Sequence, residues 1–499
     1  MPLRRPNIRN APTAHETEPE LTVAGRFMAI LKGGAFPNLI VAVGITVGFF
    51  HGYLKIRFPS PITTFAFDLV MGFALVVVLL QNKKGDIFPR GVIGSALVVF
   101  YAVCVLSLAI PIGPPLLIKA AAIRGWCYAT FMFGLGYHLT HSLNQVKGYF
   151  YVVILLGVIT AVIGIRQNPK ELEAQMAQDD QMAARYGQSY FGTKGGREFR
   201  RYSTFISAGA FGGTMAFVMV FAIALLSDPL VKKAERVALA LTVVPIAYGL
   251  ILSGARTALM NVGFGFAVIG WYRRSLQNFI VIPAIVVLAF KLGSSVSSGA
   301  LDDRYGSLLQ FEPIFYRNWI PTKLGLEYMA VHPLGGGLGT SGYSIPFFLL
   351  NRVSAEYDDW YGADGDLGRL MIELGVPGLI FFGRVLWLAL AASYRWLVEL
   401  RGTPVGSVAL ASAACVVVAL ADFPSGSPFL SIPCGALTWF FLGTLNKLAD
   451  GYRGGTLAGV TQGGDDAGAA PPAPSSTKRF LHYRPPAQKM APKRPANPP

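Results

Sequence analysis

Apolar stretches recur along the chain at 36–56, 62–80, 91–110, 120–139, 149–165, 205–226, 237–252, 258–271, 279–292, 367–392, 408–421 and 430–445. Nothing else in the sequence limits the fold as strongly. Repeats of about twelve such runs must end either in a very large core or in a bilayer. The charge content decides between them. Of 499 residues only 14% are charged and 53% are hydrophobic, against roughly 25% charged in ordinary soluble domains. That is too little polar surface to cover several soluble domains. The pattern predicts an all-α, polytopic membrane protein with about twelve transmembrane helices. Several runs fall short of the ~20 residues of a straight span, so their ends are soft.

Lys+Arg number 43 and Asp+Glu 27, a net charge of +16. In a membrane protein such an excess marks cytoplasmic loops rather than a nucleic-acid partner. Arg4, Arg5, Arg9, Arg26 and Lys32 precede the first span. Lys83, Lys84 and Arg90, then Lys147, then Lys232, Lys233 and Arg236, then Arg273 and Arg274, then Arg395 and Arg401 fall in alternate loops. These place both termini in the cytoplasm. The predicted organisation is a cytoplasmic N-terminal segment at 1–35, a transmembrane domain at 36–448 and a disordered basic cytoplasmic tail at 449–499. The first residues do not read as a signal peptide, because no short apolar stretch with a cleavage site follows the positive start. Two long outer connections, 166–204 and 293–366, exceed what a simple connector needs. Cys104, Cys127, Cys415 and Cys434 lie within apolar runs without metal-ligand spacing, as packing residues do.

Arginines on the outer side carry the chemistry. Arg200 and Arg201 stand just before a span, Arg256 lies in a turn between two spans, and Arg304 and Arg317 lie in the long loop. The positive-inside bias should deplete arginine there. A shared anion explains the excess, since guanidinium forks match phosphate oxygens. Snorkelling helix-end anchors are the plainer alternative for any one of them.

Gly337-Leu338-Gly339-Thr340-Ser341-Gly342 matches a dinucleotide fingerprint by letters, but no βαβ unit surrounds it. With Gly335 it reads instead as a tight backbone turn that admits a glycan or phosphate. His332 is a candidate base or a hydrogen-bonded structural histidine. Glu356, Asp358, Asp359, Asp364 and Asp366 form an acidic cluster that offers another base. Asp364-Gly365-Asp366 has the D-x-D form of a metal site, although solvated loop charge accounts for most such pairs. Glu373-Leu374-Gly375-Val376-Pro377-Gly378 should break its span beside a cavity buried in protein. No Walker-type, H-E-x-x-H or nucleophile-elbow motif occurs.

Read in order, several segments resemble the O-antigen ligase and O-antigen polymerase family of bacterial envelope enzymes. They are Arg200-Arg201-Tyr202-Ser203-Thr204-Phe205, Ser253-Gly254-Ala255-Arg256, Arg317-Asn318-Trp319, His332 to Gly339, and Glu373 to Gly378. The resemblance covers about 200–392. It implies an all-helical inner-membrane fold of the GT-C type, with both long outer connections in the periplasm. It implies an undecaprenyl-diphosphate-linked glycan donor and a glycan or lipid A-core acceptor. It also implies a bilayer setting, a chain-length regulator as partner, no nucleic acid, and neither nucleotide sugar, metal nor other cofactor. Ligases of this kind carry a His followed by Asn where this chain has Asp364-Gly365. That departure tilts the expectation toward polymerase, with Asp364 as base and His332 as its fallback. Arg256 with Arg200 or Arg201 would bind the diphosphate and stabilise the leaving group, and Arg304 or Arg317 would assist. A lipid-linked glycan flippase and a transferase using polyprenyl-monophosphate sugars are the rival expectations. The first lacks a visible internal repeat. The second lacks acidic residues in the loop at 55–61.

Overall fold

The computed structural model describes residues 35–454, except 59, 82–86, 90, 112, 179–189, 194–195, 275–290, 292–304, 306–310 and 343–364. Its first helices are α1 (Ala35–Arg57), α2 (Ala66–Gln81), α3 (Val92–Leu106), α4 (Leu116–Leu139), α5 (Leu143–Arg166) and α6 (Pro169–Gln178). A short hairpin follows, in which β1 (Tyr190–Thr193) pairs antiparallel with β2 (Gly196–Phe199). Then come α7 (Ala208–Leu226), α8 (Lys233–Leu252), α9 (Arg256–Arg273), α10 (Phe311–Val331), α11 (Asp366–Glu399), α12 (Gly406–Asp422) and α13 (Cys434–Gly454).

Each apolar stretch of the sequence is helical apart from 279–292, which lies outside the described residues. Among the described residues, 7 helices are long and apolar enough to cross a membrane. The protein is an all-α membrane protein in its architecture. Exposed apolar side chains fit a lipid-facing surface. Leu69, Phe73, Val76 and Leu80 make one stripe along α2 at helical spacing, and soluble monomers rarely expose such stripes.

The structure differs from expectation in the connections. The 166–204 connection holds α6 and the β1–β2 hairpin, and the long late connection holds α10 with Pro321 inside it. At the other end α13 runs to Gly454, past the expected start of the tail at 449. The rest of the predicted tail and the segment 1–34 lie outside the described residues.

Packing centres on α7. Almost all of its side chains are buried, and α5, α8, α9, α12 and α13 pack around it. Helices α4 and α13 cross closely. A Cβ on Gly136 would stand 2.0 Å from the Phe440 carbonyl oxygen, and one on Gly443 2.0 Å from that of Phe133. Small residues at reciprocal positions let two membrane helices approach backbone to backbone. A bidentate pair ties α4 to α2, with Arg124 Nε 2.8 Å from Asp68 Oδ1 and Arg124 Nη2 2.5 Å from Oδ2. Arg124 also lies over the Phe65 ring, 4.9 Å from its centroid.

Candidate functional site

The segment from Arg200 to Phe205 is pinned by its neighbours. Gln167, just past the end of α5, accepts from the backbone N–H groups of Tyr202 at 3.1 Å and Ser203 at 2.9 Å. Its amide nitrogen donates to the Ser203 carbonyl at 3.1 Å. Ser203 adopts φ 54, a left-handed conformation uncommon for a residue with a side chain. Its hydroxyl donates to the Thr160 carbonyl at 2.5 Å. Thr204 donates to the Phe49 carbonyl at 2.7 Å, and Tyr53 N–H donates to the Thr204 carbonyl at 2.8 Å. Tyr202, Ser203, Thr204 and Phe205 are all buried. The motif is a rigid strap whose first residue, Arg200, turns into a cleft.

The Ser253-Gly254-Ala255-Arg256 turn makes the opposite wall. Gly254 has φ 61, which lets the chain reverse between α8 and α9. Ser253 is fully buried, and its hydroxyl donates to the Leu250 carbonyl at 2.6 Å and accepts from Ala255 N–H at 3.2 Å. Gly212 of α7 makes room for this turn, because a Cβ there would stand 2.5 Å from Ser253 Oγ. Arg256 is the first residue of α9, whose N-cap Ala255 supplies no side-chain cap. Arg200 Nε donates to the Ser253 carbonyl at 2.9 Å, and Arg201 N–H donates to that of Leu252 at 3.2 Å.

Arg200, Gly209, Ala255, Arg256, Thr257 and Arg317 line one small, open cleft. The start of α7 at Gly209 and the start of α9 at Arg256 both face it. Helix N-termini present unsatisfied N–H groups and a positive dipole end, so they attract anions as arginines do. Burial, and then the neighbouring Arg317 charge, hold the Arg256 guanidinium below its ordinary pKa. Burial does the same at Arg200, with Arg317 and Arg256 adding to it and Tyr305 opposing. Tyr305, buried beside them, donates to the Ile251 carbonyl at 2.9 Å. Gathering three cations in a partly desolvated cleft is unfavourable without an anion. The arrangement is suited to hold a phosphate or diphosphate.

The sequence therefore singles out Arg200, Arg256 and Arg317 and the structure brings them together. Arg201 is not among the lining residues. Arg304 lies outside the described residues, as does Asp364. His332 is not brought to the cleft by its helix. It stands just past α10, fifteen residues beyond Arg317, roughly 22 Å along a helix. There its ring packs on Tyr328, with centroids 4.8 Å apart.

The glycine segment also has a different use from the one expected. Gly335, Gly337 and Gly339 all have positive φ, at 81, 88 and 87. What approaches Gly335 and Gly339 is protein rather than an open ligand site. A Cβ on Gly335 would stand 2.5 Å from the Glu373 carbonyl oxygen, and one on Gly375 2.3 Å from that of Pro333. Gly336 N–H donates to the Ile372 carbonyl and Val376 N–H to that of Pro333, each at 2.8 Å. Gly375 breaks α11 with φ 57 and ψ −146, and the glycine turn fills the break that the sequence assigned to a cavity. Glu373 locks the two together. Its carboxylate accepts from Trp126 Nε1 at 2.6 Å, from the Ser341 hydroxyl and from Gly339 N–H.

The second carboxylate of the D-x-D pair is likewise engaged in the fold. Asp366 is fully buried, pairs with Arg369 at 3.2 Å and accepts from Phe429 N–H at 3.1 Å. That leaves it poorly placed to share a metal with Asp364. Sequence reasoning passed over Asp422, the last residue of α12, whose carboxylate accepts from Ser425 Oγ at 3.3 Å. The only sequence signal for it was an acid closing an otherwise apolar run.

The chain matches no protein-family model and no curated protein.

The strap gives a direct test of how the cleft is built. Gln167→Leu keeps the bulk of the side chain and removes the acceptor of two backbone N–H groups. Leaving them without partners should cost roughly 2–4 kcal/mol. The expected result is a lower melting temperature of the purified protein and weaker pyrophosphate binding, because Arg200 loses its fixed base. An unchanged melting temperature would show that the strap holds without Gln167.

Proposed function

We propose that the protein is an inner-membrane glycosyltransferase that draws on an undecaprenyl-diphosphate-linked glycan at the periplasmic face and polymerises surface-polysaccharide repeat units. The observation that carries this reading is the meeting of Arg200, Arg256 and Arg317, from three separate segments, in one cleft at two helix N-termini. The resemblance to O-antigen ligases and polymerases picks out all three, together with Arg201. In the proposed topology twelve spans place both termini in the cytoplasm and this cleft outside. The arginines bind the carrier diphosphate and stabilise the negative charge that grows on it as the glycosidic phosphate bond breaks. Charge held in place before the reaction needs little reorganisation during it.

Transfer to a lipid-linked repeat is favoured over transfer to lipid A-core, since Asp364-Gly365 stands in place of His-Asn and His332 lies far along α10 from Arg317. A deletion strain separates the two outcomes on a gel of surface glycans. A polymerase predicts single repeats on lipid A-core, or loss of a high-molecular-weight exopolysaccharide with core unchanged. A ligase predicts bare core and long chains accumulating on the undecaprenyl carrier. A normal glycan profile would refute both.

A further inference from the structure

One face of α11 is exposed along most of its length. Val376, Ile380, Trp387, Tyr394 and Val398 follow one another there at helical spacing. On a spanning helix such a stripe meets lipid. Arg384 stands in the middle of it and is itself exposed. Its depth follows from its neighbours. Phe382 packs on the rings of Phe100 and Trp126, with centroids 4.9 Å and 5.5 Å away. Phe100 lies near the middle of α3, and Trp126 near the middle of α4. Trp271 and Tyr394, both exposed, stack with centroids 6.0 Å apart just ahead of Arg273, Arg274 and Arg395. That is the place of an interfacial aromatic belt. Tyr394 is ten residues beyond Arg384, roughly 15 Å along the helix. Arg384 therefore sits near mid-depth in a hydrocarbon layer of about 30 Å. Snorkelling serves charges near helix ends, and Arg384 is not one of them.

Other charges within the helices are matched inside the fold. Arg124 pairs with Asp68, Arg369 with Asp366 and the Ser427 hydroxyl, and Glu373 with Trp126 and Ser341. No hydrogen bond or ion pair among the described residues engages Arg384. Nor does the chain hold a spare anion for it. Asp68 and Glu373 are the only acids within its apolar runs, and both are already engaged. A second copy would bring the same deficit. We infer that this face of α11 docks a transmembrane helix of a different membrane protein, one that carries an aspartate or glutamate near the middle of its span. In hydrocarbon neither a guanidinium nor a carboxylate has water to lean on, so charge complementarity there selects a partner strongly. The guanidinium fork takes a carboxylate in bidentate geometry. A Cβ on Gly383 would meet nothing within 4 Å, so a neighbouring helix has room to approach beside Arg384. The docking face stands whichever reaction the arginine cleft serves.

The test places photo-reactive benzoylphenylalanine at Ile380, one turn from Arg384, in the full-length chain in cells, and identifies the adduct by mass spectrometry. The expected adduct joins a different membrane protein with an Asp or Glu near the middle of a span. Arg384→Leu should lower its yield at least ~10-fold. Arg384→Asp, combined with an arginine in place of the partner's acid, should restore it. The purified Arg384→Leu protein should melt no lower than the wild type, because an apolar side chain suits a lipid face. A lower melting temperature would show that Arg384 serves the fold instead. An adduct with phospholipid alone, with a second copy alone, or with a protein that has no intramembrane acid would overturn the docking face. So would the absence of any adduct, a yield unchanged by Arg384→Leu, or a charge swap that restores nothing.

Discussion

Arg256→Ala is expected to abolish visible polymer in a complemented deletion strain while the protein still accumulates and inserts. Arg256 is only half-buried at the first position of α9, so little of the fold depends on its side chain. In the proposed reaction its guanidinium stabilises the charge that develops on the diphosphate. Removing one preorganised donor of that kind slows turnover by roughly 100- to 1,000-fold. Arg256→Lys should fall between the two, since an ammonium keeps the charge and loses the bidentate fork. Arg200→Ala should weaken donor binding as well, and it also removes the bond to the Ser253 carbonyl that joins the strap to the turn. Wild-type polymer from a well-expressed Arg256→Ala strain would remove the anion site from consideration. Rising salt should weaken undecaprenyl diphosphate binding to the purified protein only modestly, because a partly desolvated cleft is screened less than a surface patch.

The helices and the arginine cleft were legible for different reasons. Apolar runs report burial directly, so each described run became a helix. The arginines were legible because the topology read from the loop charges puts them where the positive-inside bias should exclude them, and an outlier against a strong bias carries information even without neighbours. Arg200 could not be separated from Arg201 by sequence, since the choice depends on how Gln167 and Ser203 turn the strap. Asp422 was hidden for the opposite reason. One acid closing an apolar run looks like any span end, and only the turn of Ser425 and Gly426 folded onto it sets it apart. The α10 helix was missed because the segment around Pro321 has neither a long apolar run nor a clean helical face in a loop rich in polar residues. The glycines were recognised as a close approach, but letters do not say which surface approaches. Here it is the backbone of α11 at Glu373 and Gly375.

That correction leads to the largest expected effect on stability. Glu373→Ala should sharply lower both the yield and the melting temperature of the protein. The carboxylate is buried and serves three donors at once: Trp126 on α4, Ser341 in the glycine turn and Gly339 in the same turn. Its removal leaves an indole N–H, a hydroxyl and a backbone N–H buried without an acceptor, and opens a void beside them. Breaking a buried polar network from one side costs about 3–5 kcal/mol, a large fraction of what any domain has to spare. Glu373→Gln should be milder. Its amide oxygen can still accept from one or two of the donors, while its NH2 group faces the third as a donor against a donor. The measurement is the yield and melting temperature of each purified variant in the same detergent, with undecaprenyl diphosphate binding determined on whatever folds. The order wild type, Gln, Ala in melting temperature, with binding per folded molecule unchanged, is the signature of a structural lock. A Glu373→Gln protein that melts as the wild type does but loses donor binding or turnover would mean that Glu373 serves the reaction, and that the glycine turn belongs to the site after all.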